Sequence, residues 1–139
     1  PLHLTLHDEE ETRAFAQTLA PRLRAGDVVA LSGPLGSGKT TLVRAIVRAL
    51  VGSDPSFSPT FTFWHRYGGD PPVDHIDLFR IDDPRETVEL GIEEAFDGGS
   101  IVLVEWWRNA PGLIPRRRYE IEMEGAGSGP RRIILRDLL

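Results

Sequence analysis

The residues Gly33-Pro-Leu-Gly-Ser-Gly-Lys-Thr40 fit the pattern G-x-x-x-x-G-K-[ST], whose chemistry is the holding of phosphate. Glycines at 33, 36 and 38 let the backbone turn its amides inward and approach phosphate oxygens without a side-chain clash. A helix beginning near Lys39 adds its partly positive N-terminus. In such a loop Lys39 bridges the outer phosphates, Thr40 places its hydroxyl on Mg2+, and Thr41 donates to the inner phosphate. Ser37 lies within the cradle. The expectation is a site for a nucleoside triphosphate with magnesium.

Of the 16 Lys and Arg residues, Lys39 is the sole lysine. A compact ammonium on a flexible stem differs from a planar guanidinium, so a general preference for arginine gives way where a cation must fit among phosphate oxygens. Magnesium also needs a carboxylate at the end of a neighbouring strand. Ile101-Val-Leu-Val-Glu105 is a hydrophobic run that ends in an acid, which makes Glu105 the candidate. Asp77, closing Val73–Asp77, is a second acid placed to orient water or hold the metal.

These groups need elements to position them. Leu2, Leu4 and Leu6 alternate with polar residues and predict a strand. Asp8 then caps a helix that runs to about Leu23, with Glu11 three residues on. Its apolar face carries Phe15, Leu19 and Leu23. Val28–Leu31 is a continuous apolar run, as in a strand covered on both faces of a parallel sheet. The loop follows directly, then an amphipathic helix from Thr40 to Val51, ended by Gly52, Ser53, Asp54 and Pro55. Phe61–Tyr67 and Val73–Asp77 predict an antiparallel hairpin across the turn at 68–72. Pro84 opens a third helix reaching about Phe96, with Val88, Ile92 and Ala95 on one side. Tyr119–Met123 and Ile133–Leu135 form a final hairpin. The implied fold is α/β, a P-loop NTPase-like three-layer sheet with antiparallel edge strands, in one domain spanning 1–139.

Composition narrows the function. The net charge is -5, so the chain as a whole lacks the basic footprint of a nucleic-acid binder. Arg116, Arg117 and Arg118 form one tight basic run, readable as a solvated loop or as a contact for RNA or an acidic partner. There is no cysteine, hence no disulfide and no thiolate metal site. The opening residues do not read as a signal peptide, and no apolar run approaches the roughly 20 residues of a membrane helix. A cytoplasmic protein without a membrane partner is expected. A switch-type GTPase would carry Asn-Lys-x-Asp, for which no lysine remains. A nucleotide kinase would need a second substrate site and a lid, with little chain left after Glu105. ATP is favoured by elimination.

Taken in order, Gly33-Pro-Leu-Gly-Ser-Gly-Lys-Thr-Thr41, Ser58-Pro-Thr-Phe61, His75-Ile-Asp-Leu-Phe-Arg80 and Val104-Glu-Trp106 resemble the TsaE (YjeE) family of bacterial ATPases. The resemblance runs from about Asp8 to Arg132. It implies a role in the threonylcarbamoyl modification of tRNA adenosine, with TsaD-type and TsaB-type partners and with tRNA engaged indirectly. It places the nucleotide loop on Gly36 to Thr41 and the magnesium ligands on Thr40 and Glu105. It sets Thr60 near the terminal phosphate, makes Asp77 an acid needed for turnover, and puts an N-terminal nucleotide contact at Asp8–Thr12 through Glu9. A C-terminal arginine contact falls on Arg131 or Arg132, with Arg132 taken here. Arg80 is a candidate arginine finger. Two departures are Phe79, where the family usually has tyrosine, and Pro34, where it usually has an acid after the first glycine.

Trp106 and Trp107 follow the acid and read equally as core or as rim of the site. The leading expectation is a weak ATPase whose turnover involves Lys39, Thr60, Asp77 and Glu105. The alternative is a nucleotide-gated binding module in which hydrolysis is incidental.

Overall fold

The computed structural model describes residues 1–52 and 63–139, together with the backbone of a strand at Phe57–Phe61. Its centre is a mixed eight-stranded sheet. In chain order the strands are β1 (Leu2–Leu6), β2 (Val28–Ser32), β3 (Phe57–Phe61), β4 (Trp64–Tyr67), β5 (Val73–Asp77), β6 (Ile101–Glu105), β7 (Tyr119–Glu124) and β8 (Arg131–Asp137). Across the sheet they run β1-β8-β7-β2-β6-β5-β4-β3. The inner strands β7, β2, β6 and β5 are parallel, and the outer pairs on both sides are antiparallel.

The unbroken apolar runs are explained by burial on both faces. In β2, Val29 and Leu31 enter one core while Val28 and Ala30 enter the other, and in β6 Ile101 and Leu103 divide likewise from Val102 and Val104. On the first face lie α1 (Glu9–Leu19) and α2 (Lys39–Val51), which bury Phe15, Leu19, Leu42, Val43 and Ile46. The helices pack on one another as well as on the sheet. Asp8 caps α1 by accepting from the Glu11 amide at 2.8 Å, and a 3-10 turn at Ala20–Arg22 carries the helix toward Leu23.

The second face is covered by short segments, and here one expectation fails. The third helix is broken in two: α3 spans only Glu86–Glu89, and a 3-10 turn covers Ile92–Phe96. Gly91 at φ 70° between them sits in the left-handed region, which ends a right-handed helix at low cost only for glycine. The break rotates the two parts, so Ile92 and Ala95 are buried while Val88 is 60 % exposed. The hairpin of β4 and β5 forms as expected, but Phe61 belongs to the separate strand β3. Ser53, Asp54 and Pro55, expected to end the second helix, lie outside the described residues.

A buried polar knot ties β4 to β5. Asp74 is fully buried and accepts from Arg66 Nε (2.9 Å) and Nη2 (2.8 Å), Trp64 Nε1 (2.9 Å) and Ser100 Oγ (2.6 Å). Burial pushes its carboxyl up, but these donors outweigh it and the carboxyl lies below the usual aspartate value. The knot sets the register that carries His75 and Asp77 to the far end of β5.

Candidate functional site

Parallel register aligns the C-terminal ends of three adjacent strands. Glu105 of β6 stands level with Leu31 of β2 on one side and with Asp77 of β5 on the other. Ligand sites of open α/β sheets lie in the crevice beyond such ends. The loop after β2 turns into α2, whose N-cap is Gly38. At Gly33, φ is 147° and a Cβ would stand 2.5 Å from the Met123 carbonyl oxygen, so the first glycine of the loop is required by close passage over β7.

Lys39 is 5 % exposed and folded back over its own loop. Its ammonium donates to the Gly33 (2.5 Å) and Pro34 (3.0 Å) carbonyls and to Ser37 Oγ (3.4 Å). The Trp106 ring lies beneath it, with 4.4 Å between Nζ and the ring centroid. Burial pulls the Lys39 pKa below the ordinary lysine value, and the negative charges of Glu105 and Asp77 oppose that pull.

Thr40 Oγ1 donates to Glu105 Oε1 at 3.0 Å. A hydroxyl on the first turn of α2 and a carboxylate 2 % exposed at the next strand end thus share one point. This oxygen pair fits Mg2+, which takes few protein ligands and completes its shell with phosphate oxygens and water. Asp77 Oδ1 accepts from the Phe79 amide at 3.0 Å. Its carboxyl is pushed up chiefly by burial and further by the charge of Glu105, against the lowering effect of the Phe79 amide, His75 and Lys39.

The model of the TsaE family, described as threonylcarbamoyl adenosine biosynthesis protein TsaE, matches residues 6–134. This chain belongs to the TsaE family. Among TsaE relatives, a Rickettsia conorii protein named tRNA threonylcarbamoyladenosine biosynthesis protein TsaE is 37 % identical over 129 residues, covering 91 % of this chain and 73 % of that protein. The Bacillus subtilis protein of the same name is 38 % identical over 125 residues, covering 89 % and 78 %. The crystal structure of B. subtilis YdiB superposes with a TM-score of 0.81 at 31 % identity, covering 99 % of this chain and 86 % of that one.

Within this TsaE fold, the other sequence candidates separate by position. Glu9 and Thr41 line a cleft of about 240 Å³ beside the loop, between the start of α1 and the turn joining β7 to β8. Gly36, Ser37 and Gly38 form the loop itself, with Ser37 fully buried. Arg80 is exposed on the turn after β5. Thr60 lies on β3, and its side chain is outside the described residues.

The structure brings Arg131, not Arg132, to the loop. Arg131 Nη2 donates to the Gly36 carbonyl (3.4 Å) and to Gly127 (2.7 Å), while Nη1 donates to Gly129 (2.6 Å). Arg132 instead lines a groove with His3, Leu4 and Glu124. Successive strand residues face opposite sides. Arg131 shares the side of the buried Ile133 and Leu135, which is the side of α2 and the loop. That alternation was the available signal.

The two tryptophans divide similarly. Trp107 is 8 % exposed and belongs to the second core. Trp106 has φ 58°, the one positive φ outside glycine among the described residues, and this turn lays its ring under Lys39 and 5.0 Å from the Phe79 ring. Backbone strain of this kind costs on the order of 1–3 kcal/mol and persists where surrounding structure demands it.

Sequence reasoning missed His75 as a working residue. Its Nε2 lies 2.6 Å from Glu105 Oε2, so with the ring proton on that nitrogen His75 donates to the carboxylate oxygen that Thr40 leaves free. His75 is 12 % exposed. Its signal was the period of two, which puts it on the same side of β5 as Asp77. Such outer partners orient metal ligands, and their loss typically costs about 10- to 100-fold in metal affinity or activity. On the reading proposed below, in which the chain turns over nucleotide with magnesium, His75→Ala is expected to raise the magnesium concentration for half-maximal turnover by about 10-fold, with the rate at saturating magnesium largely kept. An unchanged magnesium titration would make the contact purely structural.

Proposed function

We propose that the chain is a magnesium-dependent ATPase that acts in the cytoplasm, with TsaD-type and TsaB-type partners, in making the threonylcarbamoyl modification of tRNA adenosine. The observation that carries this reading is the hydrogen bond from Thr40 to Glu105 directly beside the buried Lys39. Family membership supplies the pathway, threonylcarbamoyladenosine biosynthesis. The choice of adenine over guanine rests on the missing Asn-Lys-x-Asp element.

In this reading the loop amides and the ammonium of Lys39 hold the phosphates and balance the charge that develops on them. Thr40 and Glu105 hold Mg2+, which when bound neutralises phosphate charge. Asp77, two strand positions beyond His75 and level with Glu105, orients the attacking water and accepts its proton. Its raised pKa suits proton acceptance better than that of an ordinary aspartate. Glu9, Thr41 and Arg131 border the nucleoside, and Thr60 stands near the terminal phosphate. Trp106 gives the lysine a flat, apolar seat, which limits the water around it.

The test is ATP hydrolysis by the purified chain, with and without Mg2+, alone and then with TsaD-type and TsaB-type proteins and tRNA. Magnesium-dependent hydrolysis that rises with the partners is expected. ATP binding with no hydrolysis under any of these conditions would replace the ATPase by a nucleotide-gated module.

A further inference from the structure

A groove of about 410 Å³ runs between α1 and α2 on the outer surface of the first helical layer. Its walls carry Arg13 and Gln17 from α1 and Arg44 and Arg48 from α2, over a floor that includes Ala45 and Ala49. All three arginines are exposed, and none of their guanidinium groups has a hydrogen-bond or ion-pair partner among the described residues. Arg44 and Arg48 lie one turn apart on the same helix, about 6 Å along its axis. Three unpaired guanidinium groups along one groove stand out in a chain whose net charge is -5.

We propose that this groove holds the phosphodiester backbone of an RNA strand. Guanidinium forks match phosphate oxygens two at a time. A docked protein would need apolar or aromatic anchors, which dominate protein interfaces. The groove provides none, since its lining is Arg, Gln, Glu, Thr and Ala. A polyanion requires no anchor, only spaced cations and room. The short alanines give that room along α2. RNA rather than another polyanion follows from membership of a tRNA-modification family, so the inference rests on the family and not on hydrolysis. The groove shares Glu9, Thr12 and Thr41 with the cleft beside the phosphate loop, so a strand lying in it would end at the nucleotide site.

The test is binding of unmodified tRNA to the full chain, without nucleotide, across a salt series. With about three phosphates engaged, the logarithm of affinity should fall against the logarithm of salt with a slope of roughly -2 to -3, reaching a Kd on the order of 1–100 µM at physiological salt. Arg13→Gln/Arg44→Gln/Arg48→Gln is expected to weaken binding by at least about 10-fold and flatten the slope, while melting temperature and Mg2+-ATP binding stay unchanged. The lysine triple variant, which keeps the charge, should retain the slope. Arg116→Gln/Arg117→Gln should leave binding intact. The proposal is overturned if the glutamine triple variant binds tRNA like the wild type, if the Arg116/Arg117 variant is the one that loses binding, or if polyglutamate competes as well as RNA at equal charge. A failed ATPase assay beside intact RNA binding would count against the proposed activity and leave this groove standing.

Discussion

Lys39→Ala is expected to lower ATP hydrolysis by about 100- to 1,000-fold, the loss typical when one preorganised charge-stabilising donor is removed from a reacting site. Tight ATP binding should be lost with it. The size of the effect follows from placement. Lys39 is 5 % exposed, and its ammonium donates to two loop carbonyls and rests on the Trp106 ring, so its charge is fixed at the loop. Lys39→Arg should not restore activity, because a planar fork cannot enter a seat shaped for a compact cation. A further sign is the alkaline limb of the pH profile. Burial lowers the Lys39 pKa, so activity should begin to fall at a pH below that at which a free lysine titrates. The fold of Lys39→Ala should be at least as stable as wild type, since the change removes a charge from a nearly dry site. Full hydrolysis by either variant would remove Lys39 from the chemistry.

How much of the molecule is legible in the chain alone depends on how local the cause is. The glycine-rich loop ahead of α2 is legible because its glycines, lysine and threonine are contiguous, and the strand before it announces itself by burial on both faces. Glu105 is legible for the same reason, as an acid closing Ile101–Val104. The third helix is not, because its periodicity spans Gly91, and a single left-handed residue rotates the segment after it; the exposure of Val88 is the result. Arg131 and Arg132 are separable by the alternation that buries Ile133 and Leu135, but the glycine-rich turn at 125–130 obscures the phase of the strand it opens. His75 escapes because its partner Glu105 is 30 residues away and becomes a neighbour only through the parallel pairing of β5 and β6. The Trp106 seat for Lys39 is equally hidden. It depends on a positive φ at a non-glycine residue, which no side-chain pattern foretells. Local chemistry is written in order along the chain, whereas pairing across strands emerges only once the register is known.

Asp77→Asn is expected to separate catalysis from binding and to stabilise the protein while it does so. Asparagine retains an oxygen at the position that accepts from the Phe79 amide, so the turn after β5 keeps its tie. It removes a charge that burial disfavours and that Glu105 repels. The sign comes from proton counting. With the folded pKa raised above the unfolded one, the native state binds more protons between the two values, so stability falls as pH rises through that window and stays reduced above it. The neutral amide is free of this penalty at neutral pH. A rise in melting temperature on the order of 2–5 °C is expected there, shrinking toward zero as pH falls below the ordinary aspartate range. Turnover should fall by about 100- to 10,000-fold, as for a lost general base, with Mg2+-ATP affinity nearly unchanged. A stabilised variant that still turns over ATP would make Asp77 a structural acid. A stabilised variant that binds ATP without turnover, yet still supports threonylcarbamoyl transfer to tRNA with its partners, would instead show that occupancy of the loop is the output of the site and hydrolysis is not.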